Sequence, residues 1–355
     1  MFSRRACSRL IKCENKRRAG TPATRSELIV TMTAVLESQM TVAGPCCISC
    51  GHDVWSVGLT GLTDYLTDET FSMLRCNQCN LLMTQPLPMG EEIGRYYPAQ
   101  YRGNRHSFTG KMRSALRRRA VEACFGKNFR GKLLDIGCGD GSFAMEMKSR
   151  GWDVSATEID PDTIARLKSA GIDAKLSHHA QANGFDTRFD AITCWHVFEH
   201  VENPKQIADW VRAHLAEEGI FQPTVPNVDC LQARLFGGKW VHLDVPRHRQ
   251  HFTPATLRAL LENAGFQITR QSNFAWEYDW FGVIQSALNH VCTRQNVLFD
   301  KLTHAPLDAS KPLPIADVLI SYGLTPLIAS ASLPLIAAGA LAGDGATLTL
   351  TCRVK

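Results

Sequence analysis

The stretch Lys132–Gly141, KLLDIGCGDG, constrains the fold more than any other. Leu133, Leu134 and Ile136 make a short buried-strand run, and Asp135 is followed by Gly137, Gly139 and Gly141 at alternate positions. A helix-like stretch, Ser142–Arg150, comes next. A strand that breaks into glycines and then a helix brings backbone N–H groups up to a ligand, because glycine has no Cβ in the way. The following strand, Trp152–Thr157, ends in Glu158. An acid at that place suits the two hydroxyls of a ribose. A dinucleotide fingerprint needs Gly-x-Gly-x-x-Gly, and its last place is Ser142 here.

DIGCGDG, with TEIDP after the second strand, instead resembles motif I and its partner in class I S-adenosylmethionine (SAM) methyltransferases. Phe189–Val201, in which Asp190 begins a strand and Glu199-His200 opens the next helix, resembles the fourth-strand motif of the methyltransferases grouped with the ubiquinone-biosynthesis enzymes. The resemblance runs from 130 to 274 and resumes at 346. It implies an α/β fold with a Rossmann-like seven-stranded sheet that ends in an antiparallel pair. It also implies an enzyme that transfers a methyl group from SAM. The cofactor-binding set is then Asp135, Gly137, Cys138, Gly139, Glu158, Ile159, Asp160 and His196, with Glu158 on the ribose and the glycine turn facing the methionine part. Ile159, Ser177 and His178 would flank the adenine.

The alternation of elements agrees with such a sheet. Strands are predicted at 132–136, 152–157, 173–176, 189–194, 219–225, 266–271 and 346–354, and helices at 141–150, 161–170, 203–216 and 254–264. Pro161, Pro204 and Pro254 sit in first turns, where proline is tolerated, and Thr253 caps the last of these helices. Gly171, Gly219 and Gly265 stop helices. Pro223 and Gln222 are out of place in a central strand.

Upstream, Cys47-x-x-Cys50-Gly51 and Cys76-x-x-Cys79-Asn80 form two knuckles, each setting two thiolates on one side of a tight turn. Together they predict a four-sulfur site that suits zinc. With no histidine or water-bearing position in the set, the metal is expected to be structural. The 13 cysteines are an odd number and read as ligands rather than a secreted disulfide framework. No stretch has the charged-then-apolar order of a secretory signal, so a cytoplasmic setting is expected.

At 355 residues, 45% hydrophobic and 21% charged, the chain has room for one sizeable core and an accessory module. The divisions expected are a basic tail (1–40), a zinc ribbon (41–85), a connector with a basic helix at Lys111–Phe125 (86–131), the SAM-binding domain (132–275 with 346–355) and an apolar helical insertion (276–345). The net charge of +5 is concentrated in residues 1–25 and 102–132. Within the insertion, Val318–Gly343 carries no charge. Its flanking strands should pair in one sheet, which excludes a single membrane crossing, and Pro326 and Pro334 are expected to divide the run. Peripheral membrane association through 311–343 and a lid or dimer surface packed on protein both fit, and the oligomeric state stays open.

The acceptor loop is expected after the fifth strand, at Phe236–Thr253. Its order W-x-x-x-D-x-P-R-H-x-x-H-F-T resembles a bacterial methyltransferase subgroup that also carries an N-terminal cysteine ribbon. Methyl transfer to oxygen or nitrogen needs a positioned acceptor and a base, a role that suits histidine. His248 is the first choice, then His242 and His196, with Asp244 orienting an imidazole and Arg247 holding a carboxylate or phosphate. A metal site from His242, Asp244, His248 and His251 is a lesser reading. Val225-Pro226-Asn227 lacks the Asn/Asp-Pro-Pro-Tyr of adenine methylation, and no strand-end Pro-Cys appears, so nucleic acid is a poor acceptor. The subgroup resemblance points to a small-molecule or lipid-linked saccharide acceptor. The alternatives are a quinone-type O-methyltransferase and a non-catalytic zinc-ribbon adaptor.

Overall fold

The computed structural model describes residues 41–97, 108–126, 128–177, 184–303 and 312–355. The tail 1–40 and His178 lie outside these residues. The larger sheet has seven strands in the order β12-β13-β10-β9-β6-β7-β8. These are β6 (Lys132–Ile136), β7 (Asp153–Glu158), β8 (Asp173–Leu176), β9 (Phe189–Trp195), β10 (Leu215–Pro226), β12 (Phe266–Ser272) and β13 (Thr347–Val354). The five strands from β8 to β10 run parallel, and β13 is antiparallel to both β10 and β12. The last two strands therefore pair as expected, Phe266 opposite Val354.

Adjacent strand residues point to opposite faces, so a strand apolar at consecutive positions must be covered on both. Leu134 and Ile136 join one core cluster with Phe221, Leu257 and Leu348. Leu133 joins the other with Val154, Phe143 and Leu167. The covering helices include α1 (Phe108–Glu122), α2 (Ser142–Ser149), α3 (Pro161–Ser169), α4 (Pro204–His214) and, beyond the short α5 (Leu231–Phe236), α6 (Pro254–Asn263). Thr253 caps α6 through a capping box with Thr256. β10 continues through Gln222 and Pro223, and the Gln222 amide donates to Thr351 Oγ1 at 3.1 Å.

The ribbon comprises β1 (Thr41–Ala43), β2 (Val54–Val57), β3 (Leu62–Thr63), β4 (Thr70–Cys76) and β5 (Leu82–Gln85). It is not closed on itself. A short strand far along the chain, β11 (Gln250–His251), adds to the edge of β5.

The insertion folds as α7 (Trp276–Val291), α8 (Val297–Leu302) and α9 (Ile315–Ala342). Pro326 and Pro334 do not divide α9 as expected; the helix runs unbroken through both. An interior proline costs ~3 kcal/mol, but Ile320, Leu324, Ile328 and Ala329 pack against Ile284 and Leu288 of α7. The Trp280 indole also donates to the Ala329 carbonyl at 3.1 Å. By length and composition α9 is able to cross a membrane, a test that core helices of soluble proteins also pass.

Candidate active site

The carboxyl ends of β6, β7 and β9 converge, and the glycine turn after β6 forms the floor. Asp135, the penultimate residue of β6, is fully buried; its Oδ1 accepts from Thr193 Oγ1 at 2.7 Å. Its Oδ2 has no hydrogen-bond partner among the described residues. Burial raises the Asp135 pKa to about 7, against the opposing effects of Thr193 and Arg117. Gly137 and Gly139 have φ of +67° and +59°. A Cβ on Gly137 would lie 2.5 Å from Val197 Cγ2, so that glycine serves packing inside the protein. A Cβ on Gly139 would meet nothing within 4 Å. The space above Gly139 is an open cradle.

Glu158 stands beside this cradle. Its Oε2 accepts from the Gly139 N–H at 2.7 Å and its Oε1 from the Ile159 N–H at 2.8 Å. A carboxylate oxygen accepts from hydroxyl donors as well as from N–H groups. Cys138 is buried, its N–H donating to the Thr157 carbonyl. Asp160 caps α3, accepting from the N–H and hydroxyl of Thr163 at 3.0 and 2.8 Å.

Residues 105–271 match a family model described as a methyltransferase domain. The matched stretch is just under half of the chain, and the seven-stranded sheet is that of the class I methyltransferase fold. The chain is 29% identical over 159 residues to a ubiquinone biosynthesis O-methyltransferase of Xanthomonas axonopodis pv. citri. That match covers 41% of this chain and 66% of the relative. A Photobacterium profundum protein with the same description is 28% identical, over 40% of this chain and 65% of its own. Among solved structures, a SAM-dependent methyltransferase from Archaeoglobus fulgidus aligns at 18% identity and a TM-score of 0.42, covering 69% of this chain and 94% of that one.

The wall of the methyltransferase site comes from segments the motifs do not announce. Arg117 of α1 lies over the Trp195 ring, its guanidinium carbon 4.9 Å from the centroid. Burial lowers its pKa; Tyr278, Asp135 and Glu277 oppose that shift. Arg113, one turn earlier, is 3.7 Å from Asp140. Trp195 Nε1, His196 Nε2 and Glu277 Oε2 are buried without hydrogen-bond partners among the described residues. Polar atoms left this way inside a protein are uncommon and call for a reason, a bound polar group being one.

Of the three histidines predicted as bases, His196 has a buried ring nitrogen without a hydrogen-bond partner among the described residues. Its φ of +56° turns it out of the strand end, and its ring stacks on Tyr278 at 4.2 Å. Nδ1 is 3.3 Å from Glu199 Oε1, and Nε2 is left for a proton. Burial lowers the His196 pKa to about 3 and raises that of Glu199 to about 7. His242 is held elsewhere, Nε2 on the Tyr278 carbonyl at 3.2 Å, with its pKa pushed by burial to about 4. His248 donates Nδ1–H to the His242 carbonyl at 2.9 Å and meets His200 edge-on.

Arg247 differs from the expectation most. Its side chain is wholly buried, with Nε on Asp244 Oδ1 at 2.8 Å and Nη2 on Asp64 Oδ1 at 2.7 Å. Nη1 donates to the Tyr96 carbonyl, and the guanidinium lies over Tyr65. It therefore joins the ribbon to the loop. Asp244 is correspondingly spent on Arg247, which holds its carboxyl far below the usual range against the cost of burial. The suggested His242/Asp244/His248/His251 metal site does not assemble. Glu199, His200 and His248 converge instead, with one ligand atom each within 4.8 Å of the others.

In the ribbon, Cys47, Cys50, Cys76 and Cys79 bring their sulfurs within 4.8 Å of one another, two pairs being 3.5 Å apart. A tetrahedral zinc with bonds of about 2.3 Å needs sulfurs roughly 3.8 Å apart, so the set fits that ion. Gly51 and Asn80 take the left-handed turns the knuckles need, at φ of +77° and +63°.

Proposed function

We propose that this protein transfers a methyl group from SAM to a hydroxyl of a small molecule. The single observation that carries the cofactor is the open cradle over Gly139, bounded by Glu158 and the unpartnered Asp135 Oδ2. Glu158 takes the ribose hydroxyls, and the Arg117 guanidinium takes the carboxylate of the methionine part. Bound SAM supplies an electrophilic methyl on sulfur. His196 Nε2 receives the acceptor proton as the oxygen attacks, while Glu199, ionised above about pH 7, holds Nδ1–H and steadies the imidazolium that forms. The stacked Tyr278 ring keeps the imidazole in place and shields it from water. The four cysteines hold a structural zinc.

The O-methyltransferase relatives favour a quinone-type phenolic acceptor over the saccharide that the loop pattern suggested. A Tyr278 ring at the base and the apolar α7–α9 insertion suit an aromatic acceptor with an apolar tail. Calorimetric titration with SAM and with NADH, on the wild type and Glu158→Ala, tests the cofactor. SAM should bind and weaken at least tenfold in the variant, the loss of about 1.4 kcal/mol expected from one charged hydrogen-bonding group. Binding of NADH in place of SAM, or no effect of the variant, would overturn the reading.

A further inference from the structure

The edge of the ribbon sheet is completed by the segment that ends the histidine-rich loop. β5 pairs with β11 in the register Met83–Gln250 and Leu82–His251. The Thr84 N–H donates to the Arg249 carbonyl at 3.0 Å. The Thr84 hydroxyl, fully buried, donates to the His248 carbonyl at 2.7 Å and lies 2.9 Å from His251 Nε2. A hydroxyl has one proton. With that proton on the His248 carbonyl, Thr84 Oγ1 accepts from His251, which fixes His251 as the Nε2–H tautomer. The same loop segment grips the turn that follows β9, since the N–H groups of Arg249 and Gln250 both point to the Glu199 carbonyl, at 2.7 and 3.3 Å. A continuous path of hydrogen bonds thus runs from ribbon strand β5 through 248–251 to Glu199 and on to His196. The cradle over Gly139 is built on β6 and β7 and takes no part in it.

We propose that Thr84 is a positioning residue for methyl transfer. From the ribbon, it sets the backbone of the His248–His251 segment, and through it the Glu199–His196 pair. The ribbon is then a structural component of the acceptor half of the site rather than a separate appendage. The assignment of that half rests on the proposed function, whereas the hydrogen-bond path does not.

The test uses the full chain labelled with 15N-histidine, as wild type, Thr84→Val and Thr84→Ser. Two-bond proton–nitrogen spectra report each imidazole's tautomer, and calorimetry on the same samples reports SAM affinity. Thr84→Val should abolish the Nε2–H signature of His251 and shift the His248 and His196 signals. Its SAM affinity should stay within about threefold of wild type, less than 1 kcal/mol. Thr84→Ser, which keeps the hydroxyl, should restore the wild-type spectrum. Unchanged His196 and His248 signals in Thr84→Val would overturn the proposal. So would a loss of SAM affinity in step with the spectral change, because Thr84 would then support the whole fold and not the acceptor half. If Thr84→Val does not fold, Thr84→Ser decides alone: a wild-type spectrum supports the path, and a disturbed His251 tautomer despite the hydroxyl overturns it. Wild-type protein that binds no SAM would sink the proposed function and leave the spectral outcome to be read independently.

Discussion

Two neighbouring glycines should fail for different reasons. Gly137 and Gly139 both have left-handed backbones, so an alanine at either place costs about 1–2 kcal/mol in conformation alone. At Gly137 the added methyl also lies 2.5 Å from Val197 Cγ2. β-Branched valine has little rotamer freedom to yield, and overpacking adds about 1–3 kcal/mol. Gly137→Ala should therefore destabilise the cofactor-free protein by roughly 2–5 kcal/mol. The methyl of Gly139→Ala meets no protein atom within 4 Å, so only the conformational cost applies without ligand. With SAM present, the methyl occupies space the cofactor needs. An overpacking penalty of about 1–3 kcal/mol then falls on binding, roughly a 5- to 150-fold loss of affinity. Urea unfolding of the cofactor-free variants, paired with SAM calorimetry, separates the two costs. A folded Gly139→Ala that binds SAM as tightly as wild type would refute the placement of the cofactor on this turn.

Arg247→Met leaves the buried Asp64 and the half-buried Asp244 without their shared cation, and removing one side of a buried ion pair costs about 3–5 kcal/mol. Urea unfolding should show a loss of that size; a change below about 1 kcal/mol would return Arg247 to the acceptor-binding role. Glu199 gives a pH signature. Burial raises its folded pKa to about 7 from 4.5, so the native state keeps a proton that the unfolded chain has released. Its contribution to stability is full below pH 4.5 and lost as pH rises to 7. Glu199→Gln should therefore gain about 3 kcal/mol relative to wild type between pH 4.5 and pH 7, then stay level. A difference that does not change with pH would show that Glu199 is ionised in the native state throughout.

What could be read from the sequence was what is encoded locally. The glycine turn, the acid ending β7 and the two cysteine knuckles each specify a short backbone geometry through neighbouring residues. The structure places all of them as the spacing predicts. Arg117, Glu277 and Tyr278 were not legible as site residues, because they reach the strand ends only through the packing of α1 and α7. Arg117 sits in a run of arginines that reads as a solvated face; its place over Trp195 was the missing signal. The opposite error arose at Arg247 and Asp244. A cation and an acid close together in a histidine-rich loop suggest ligand contacts, and the partner that decides their role, Asp64, is remote in sequence. Pro326 and Pro334 misled for a related reason: a local preference against helix was outweighed by packing along α7.

The shared edge between β5 and β11 has a consequence for the order of synthesis. The ribbon strands leave the ribosome long before residues 250 and 251, which complete their sheet. Throughout that interval β5 presents an open row of backbone donors and acceptors, the kind of edge that recruits strands from other chains. Closure of the knuckles around a metal would give the nascent ribbon a fixed shape without covering that edge. The exposed interval ends only when the distant loop arrives, which links the folding of the first module to the folding of the second. A ribbon cut away after residue 89 would retain that vulnerable state permanently.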